Sequence, residues 1–182
     1  GDLNLLLSTD IRPTSKILFY RQVTERVQKL APFLVYDRDP YLVLAEGRLF
    51  WIIDAYTHSS TYPYAARHAD TGINYIRNSV KVVVDAYEGT TRYYVADPAD
   101  PIIQIWQHIF PQLFFPLDTM PAGIRAHLRY PEDLFSMQRD MLLLYHMTDS
   151  RTFYRKEDAW AVPTETHGGN VEEDLIPYYV MT

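Results

Sequence analysis

Apolar residues are concentrated in four short runs in the first half of the chain, a pattern typical of β-strands. The runs lie at 41–45, 49–53, 80–87 and 91–95. Glu46-Gly47 separates the first two, and Glu88-Gly89 separates the last two. Glycine accepts a positive φ without strain, so a glycine between two β-branched or aromatic runs indicates a hairpin. The pattern therefore predicts two hairpins in one antiparallel sheet.

Helical periodicity predominates in the second half of the chain. Asp100-Pro101 combines a capping carboxylate with a proline at the first helical position, which is a strong start signal. Glu132 and Asp133 follow Pro131, where the helix dipole favours acidic residues. Helices are predicted over 14–30, 101–110, 121–128, 131–146 and 149–154. Strands cluster first and helices later, so we expect an α+β fold in which three to five helices pack on the antiparallel sheet.

The 182 residues are expected to form a single α+β domain over 1–182. Its tail differs in character, because residues 157–182 contain six acidic residues and no Lys or Arg. Within it, the 164–176 segment buries too little apolar surface to offset its ordering entropy, and we predict an acidic mobile loop there. The last segment, 177–182, is predicted to be a truncated strand.

Charge and composition exclude several classes of function. The net charge of −6 disfavours nucleic acid as a partner, because phosphate binding requires cationic surfaces. The chain has no cysteine, which excludes disulfides, thiolate metal sites and thiol chemistry. It contains no G-x-S-x-G elbow, Walker loop, dinucleotide fingerprint or H-E-x-x-H motif. We therefore expect no stoichiometric metal, no cofactor and no catalytic residue that a motif would reveal.

The segment between the hairpins is the candidate ligand or partner site. Residues 57–78 form a longer connection than hairpin topology requires, and their polar and aromatic side chains suit both apolar contact and hydrogen bonding. The candidate residues are His58, Tyr62, Tyr64, His68, Tyr75 and Arg77. The alternative is a structural connection whose tyrosines pack on the sheet and whose Arg77 bonds a neighbouring carboxylate.

Three long segments carry a resemblance to a known family. They read SKILFYRQVTERVQKLAPFLVYDRDPYLVLAEGRLFWIIDAYT (15–57), INYIRNSVKVVVDAYEGTTRYYVADPADPIIQIWQHIFP (73–111) and RAHLRYPEDLF with YHMTDSRTFYRKEDAW (125–160). Over about 10–163 the chain resembles a bacterial group known as uncharacterised protein family 0182. The resemblance implies a large multi-pass membrane protein of the cell membrane, with this chain in its soluble extracytoplasmic region. It implies no activity, ligand or catalytic residue.

Two hypotheses of function remain open. In the first, the chain is a non-catalytic extracytoplasmic domain of a membrane protein and binds a ligand, an envelope component or a partner protein. In the second, it is a hydrolase or another enzyme that uses the 57–78 loop. A deep pocket with convergent polar groups favours the enzyme, and a broad tyrosine-rich surface favours the binding module.

Overall fold

The structure, a computed structural model, describes residues 12, 15, 19–167 and 171–180. In this part of the chain the central element is a six-stranded sheet. Its strands are β1 (Val35–Tyr36), β2 (Tyr41–Ala45), β3 (Arg48–Ser59), β4 (Tyr75–Asp85), β5 (Thr91–Val95) and β6 (Phe114–Pro116). The sheet and the helices around it confirm the predicted α+β class.

Strand β3 is long enough to pair with two strands along one edge. Its first half pairs with β2 and its second half with β1. On its other edge the order continues β3-β4-β5-β6, and each of these pairs is antiparallel except the parallel pair β5 and β6. Both predicted hairpins are therefore present, and they join through the β3–β4 ladder. The sequence pattern did not predict β1 or β6, which have only two and three residues.

The β2–β3 turn has the geometry that its sequence predicts. Ala45 pairs with Arg48, and the two residues between them, Glu46 and Gly47, have φ values of 52° and 72°. Two successive residues at positive φ define the type I′ turn, whose twist matches that of the flanking strands. Gly47 takes this conformation without the penalty that a side chain imposes.

An irregularity interrupts the β3–β4 ladder. Ala55 pairs with Val80, but Thr57 pairs with Arg77, so 78–79 lie opposite a single residue of β3. This is a β-bulge, which shifts the alternation of side chains along the bulged strand. As a result, odd-numbered residues of β4 before the bulge lie on the same face of the sheet as even-numbered residues after it.

Five helices lie in the part of the chain that the structure describes: α1 (Val23–Leu30), α2 (Pro101–Ile109), α3 (Ala122–Arg125), α4 (Glu132–Tyr145) and α5 (Ser150–Arg155). The helix predicted over 14–30 begins only at Val23, because the Gln22 side chain accepts the Glu25 N–H and caps it there. Residues 14 and 16–18 lie outside the described residues. The other four predicted helices are confirmed within a few residues.

Both faces of the sheet are covered. On one face, which we call the α2 face, α1 and α2 pack on residues that include Ile53, Val82 and Tyr93. On the opposite face, which we call the α4 face, the segment 120–124 packs on residues that include Ile52 and Val83. Helix α4 approaches β4 on this second face and contributes no fully buried residue.

The structure corrects the predictions for the tail. Strands β7 (Thr164–His167) and β8 (Val171–Asp174) pair antiparallel where an acidic loop was expected over 164–176. The segment has few apolar side chains, but it forms the backbone hydrogen bonds of a hairpin. Its mobility stays a prediction, and 168–170 lie outside the described residues. Residues 177–180 form no strand, since Pro177 has no N–H to donate to a ladder, and 181–182 are not described.

Candidate functional site

The predicted 57–78 segment is partly strand and partly loop. Its ends extend β3 and β4, and residues 60–74 connect them. The strands and the bulge separate the six candidate residues, because side chains on these strands project to opposite faces of the sheet. The structure therefore does not bring the six residues together into one site.

Tyr62, Tyr75 and Arg77 form one group, on the α2 face. The rings of Tyr62 and Tyr75 stack with centroids 5.1 Å apart, and the Arg77 guanidinium lies 5.8 Å from the Tyr75 ring centroid. Arg77 also donates a 2.9 Å hydrogen bond to Asp97. These contacts agree with the structural alternative for Arg77, which anticipated a neighbouring carboxylate.

The group is anchored on Asp100, a fully buried carboxylate at the N-cap of α2. Its oxygens accept hydrogen bonds from the hydroxyls of Thr57, Ser79 and Tyr75, the last two at 2.6 and 2.7 Å, and from the Ile102 N–H at 3.1 Å. Burial by itself raises the pKa of Asp100, but these hydrogen bonds lower it below its ordinary value. Burial and the bond to Asp100 raise the pKa of Tyr75 to about 12. The Asp100 carboxylate therefore accepts four hydrogen bonds and has a structural role, and we call it the buried hub.

His58 and Tyr64 lie apart from that group. His58 is exposed and, by strand alternation, projects to the same face as Tyr56. Tyr64 lies in the connecting loop, is fully exposed and has a φ of 59°. A positive φ is uncommon for a side chain of this size.

His68 joins the loop to helix α4. Its Nε2 lies 3.4 Å from an oxygen of Asp140, and its Nδ1 lies 3.3 Å from the Thr71 hydroxyl. Its own N–H donates to the Ile73 carbonyl at 2.8 Å, and its side chain is mostly buried. The imidazole thus bridges a hydroxyl and a carboxylate from different elements.

A cleft of about 930 Å³ lies between the sheet and α4, and His68 is part of its wall. Its floor includes Tyr56 and Ile76, and Met137 adds an apolar side chain from α4. Seven carboxylates line it, against two guanidinium groups and one imidazole. The seven are Asp37, Asp39, Asp70, Glu132, Asp133, Asp140 and Asp174, and the basic groups are Arg38, Arg139 and His68. We call this the acidic cleft.

Buried Asp37 fixes one end of the acidic cleft. It accepts hydrogen bonds from the Tyr56 hydroxyl, from the Asp39 N–H at 2.9 Å and from the Asp133 N–H at 3.2 Å. Arg38 in turn donates through its Nε to Asp133 at 2.8 Å. The start of α4 is therefore attached to the segment that follows β1.

The electrostatic effect of these acids is visible at Glu132. Burial raises the pKa of this carboxyl, and the negative charges of Asp39, Asp37 and Asp133 raise it further. A cation next to Glu132 would instead lower the pKa of its carboxyl. The acidic cleft is therefore a region of negative potential in which a positive group is favoured.

A buried ion pair also lies on the α4 face but does not line the cleft. Lys81 donates to the Asp54 carboxylate directly across the β3–β4 ladder and to the Arg129 carbonyl at 3.1 Å. Burial raises the pKa of Asp54, and the nearby Lys81 charge opposes that shift. Because both groups are paired and buried, we assign the pair a structural role.

Two features are absent from the described residues. No group of three or more His, Asp or Glu side chains there is arranged to hold a metal ion. Nor does that part of the chain include a helix with the length and hydropathy needed to cross a membrane. The predicted lack of a metal stays a prediction.

The fold and the cleft define a class of protein: an α+β domain with a charged cleft and no recognisable catalytic motif. Comparison with known proteins gives the family. The chain matches the uncharacterised protein family UPF0182 over residues 1–182, and it belongs to that family. The resemblance expected over 10–163 is thereby confirmed and extends to both ends.

Several UPF0182 proteins are about half identical to this chain. One from Moorella thermoacetica is 52% identical over 180 residues, which is 99% of this chain and 20% of that protein. One from Methanospirillum hungatei is 49% identical over 186 residues, covering 100% of this chain and 21% of that protein. The chain thus spans about a fifth of the length of the curated relatives it matches. No solved structure matches it.

Sequence reasoning found only part of the acidic cleft. It identified His68, and four more lining residues lie in the same 57–78 segment, but most of the others come from β1, the segment after it, α4 and the tail. Asp37 and Asp140 are separated by about a hundred positions in sequence, so no local motif could have linked them. An available signal was the acidic pairs at 37 and 39 and at 132–133, although the helix dipole alone explains the second pair.

Proposed function

We propose that this chain is a non-catalytic, extracytoplasmic binding domain of a larger membrane protein, and that the acidic cleft is its binding site. The observation that carries the proposal is the cleft itself, with a volume of about 930 Å³ and seven carboxylates against two guanidinium groups. Ligand sites commonly have volumes of about 300–1,000 Å³ and combine apolar walls with a few polar groups.

The chemistry of the lining favours a ligand with a positively charged amine and an apolar stem. A cation in the cleft would relieve the repulsion that raises the pKa of Glu132. Tyr56, Ile76 and Met137 offer apolar contact to the rest of such a molecule.

Spermidine is a suitable probe, and its binding to the purified chain can be measured by calorimetry at low ionic strength. We expect binding that weakens as salt is added, because the attraction is electrostatic. Glu132→Gln removes one charge at the cleft and should weaken binding about two- to fivefold, which corresponds to about 0.5–1 kcal/mol. Asp118→Asn is the matched control, since Asp118 is exposed and lies outside the cleft. Equal affinity of spermidine for the wild type and Glu132→Gln would refute the proposed site.

The membrane and extracytoplasmic parts of the proposal rest on the family resemblance and on the relatives' greater length. The test is a fusion of alkaline phosphatase, which is active only outside the cytoplasm, directly after this segment in the full-length protein. High phosphatase activity supports the proposal. An inactive fusion, together with an active cytoplasmic reporter at the same position, would overturn it.

A hydrolase is the second candidate, because His68 bridges Thr71 and Asp140 in the manner of a base between a nucleophile and a carboxylate. The nearby backbone donors are already used, however. The Gly72 N–H bonds the His68 carbonyl at 2.9 Å, and the Ile73 N–H bonds the Thr71 hydroxyl at 3.3 Å. An oxyanion would find neither of these N–H groups free, which favours the binding function.

Hydrolysis of a panel of p-nitrophenyl esters distinguishes the two candidates. Turnover by the wild type that is abolished in both His68→Gln and Thr71→Ala, but retained in Thr61→Ala, would favour the enzyme. Ester hydrolysis no faster than in buffer alone would support the binding function.

A further inference from the structure

Helix α4 carries apolar side chains on the side that points to solvent. Phe135, Met141, Leu142 and Tyr145 are 48%, 38%, 56% and 50% exposed. Together with exposed Gln138, they recur at spacings of three and four residues, so they form one stripe along the helix. We call this stripe the outer face of α4.

The opposite side of the same helix, which lines the cleft, is polar except for Met137. Asp133, Ser136, Arg139 and Asp140 all line the acidic cleft, between α4 and the sheet. A surface helix normally has the reverse arrangement, with its apolar stripe on the core and its charged residues in water. The outer face of α4 contains no charged residue, so it has the composition of a buried surface.

The apolar surface continues beyond α4. The ring of Tyr145 packs against Phe153 of α5, with centroids 5.4 Å apart. A contiguous apolar surface of this kind is uncommon on an isolated protein and indicates an interaction site.

We propose that the outer face of α4 is a docking surface for another segment of the same polypeptide, from outside these 182 residues. The curated relatives that match the chain are about five times as long, so most of such a protein lies outside the part described. A tethered segment acts at an effective concentration on the order of millimolar, an advantage that a separate partner lacks. The outer face of α4 lies on the side of the helix away from the cleft, so docking there does not depend on the proposed ligand.

Site-specific photo-crosslinking in the full-length protein tests the occupant. A benzophenone amino acid in place of Leu142 should form an adduct within one chain, and mass spectrometry should map it to a peptide outside residues 1–182. The matched control is the same substitution at Asp118, an exposed polar position away from α4, where we expect at least fivefold less of that adduct. An adduct to the same segment of a second copy, to a different protein, or to lipid would overturn the proposal, as would the absence of any adduct.

Thiol labelling supplies an independent measurement, because the chain has no cysteine of its own. In a cysteine-free full-length protein, Leu142→Cys should react at least tenfold more slowly in the native state than in denaturant. Asp118→Cys should lose much less of its reactivity on folding. Equal protection at the two positions would count against a specific docking surface on α4.

Discussion

Replacing Asp100 by alanine tests whether the buried hub holds the sheet to α2. In the native structure this carboxylate accepts from Thr57 on β3, from Ser79 and Tyr75 on β4, and from the first turn of α2. It is the sole cap of that helix's N-terminus among the contacts described. The substitution therefore removes a cap and leaves buried hydroxyls without their acceptor.

The expected loss of stability follows from those contacts. Loss of an N-cap costs about 1 kcal/mol. A buried hydroxyl left without a partner costs about 1–3 kcal/mol. Thr57 and Ser79 have hydroxyl oxygens 3.2 Å apart, so they can bond each other and one of these two buried donors is stranded. The Tyr75 hydroxyl is only part-buried and can bond water instead. The free energy of unfolding should therefore fall by about 3 kcal/mol.

Urea unfolding followed by circular dichroism measures this loss. With a denaturant slope of about 2 kcal/mol per molar urea, the midpoint should fall by about 1.5 M. The control is Asp97→Ala, whose carboxylate pairs with Arg77 at the surface and should cost less than about 1 kcal/mol. Equal midpoint shifts for Asp100→Ala and Asp97→Ala would refute the assignment of Asp100 as a hub.

The same carboxylate gives a pH dependence of known sign. The folded-state pKa of Asp100 is lowered, so its contribution is fully present above its unfolded pKa of about 3.9 and is lost as pH falls through the folded pKa. The stability difference between wild type and Asp100→Asn should therefore be largest near neutral pH and should shrink in acid. A difference that grows in acid would contradict the lowered pKa.

Three further changes test other parts of the fold by denaturant unfolding. Lys81→Ala leaves the Asp54 carboxylate buried without its cation and should lower the free energy of unfolding by about 3–5 kcal/mol. Because the pKa of Asp54 is raised, the carboxylate can protonate in acid and the variant should regain stability there. A variant that is no more stable in acid would contradict this. Ile53→Ala should lower the free energy of unfolding by about 2–5 kcal/mol, because Ile53 is completely buried. Leu44→Ala, at a position 64% exposed, should lower it by less than about 1 kcal/mol. Equal losses of stability would show that the sheet is covered differently. Gly47→Ala meets nothing within 4 Å, so only its positive φ should matter, at about 1 kcal/mol, and an unchanged midpoint would argue against the type I′ turn.

The elements that sequence predicted well are those with local signals. Glycine at Gly47 and Gly89 located both hairpins, and Asp100-Pro101 located the start of α2. The start of α1 was predicted too early, because the Gln22 side chain caps the helix and it begins at Val23. β6 was missed because its pairing with β5 is parallel and is bridged by α2, so nothing local marks it.

The candidate site was predicted only in part, because its residues are brought together by long-range strand pairing rather than by local signals. The 57–78 segment does contain His68, a residue of the acidic cleft. The bulge that directs Tyr75 and Arg77 to the α2 face depends on how β4 pairs with β3, which local sequence does not specify. Asp100 illustrates the same limit: its role as a cap was predictable, but the three hydroxyls that surround it converge only in the folded sheet.

The order of strands in the sheet has a consequence for how the domain forms during synthesis. Strands β2 to β5 pair with their neighbours in sequence, so this meander has local topology and should close rapidly once residues up to Val95 have left the ribosome. Helix α4 emerges later and contributes no fully buried residue, so in hydrogen exchange its amides should open well before those of β3 and β4. The acidic cleft is therefore the last part of the domain to form and the first to open, while the central strands stay folded.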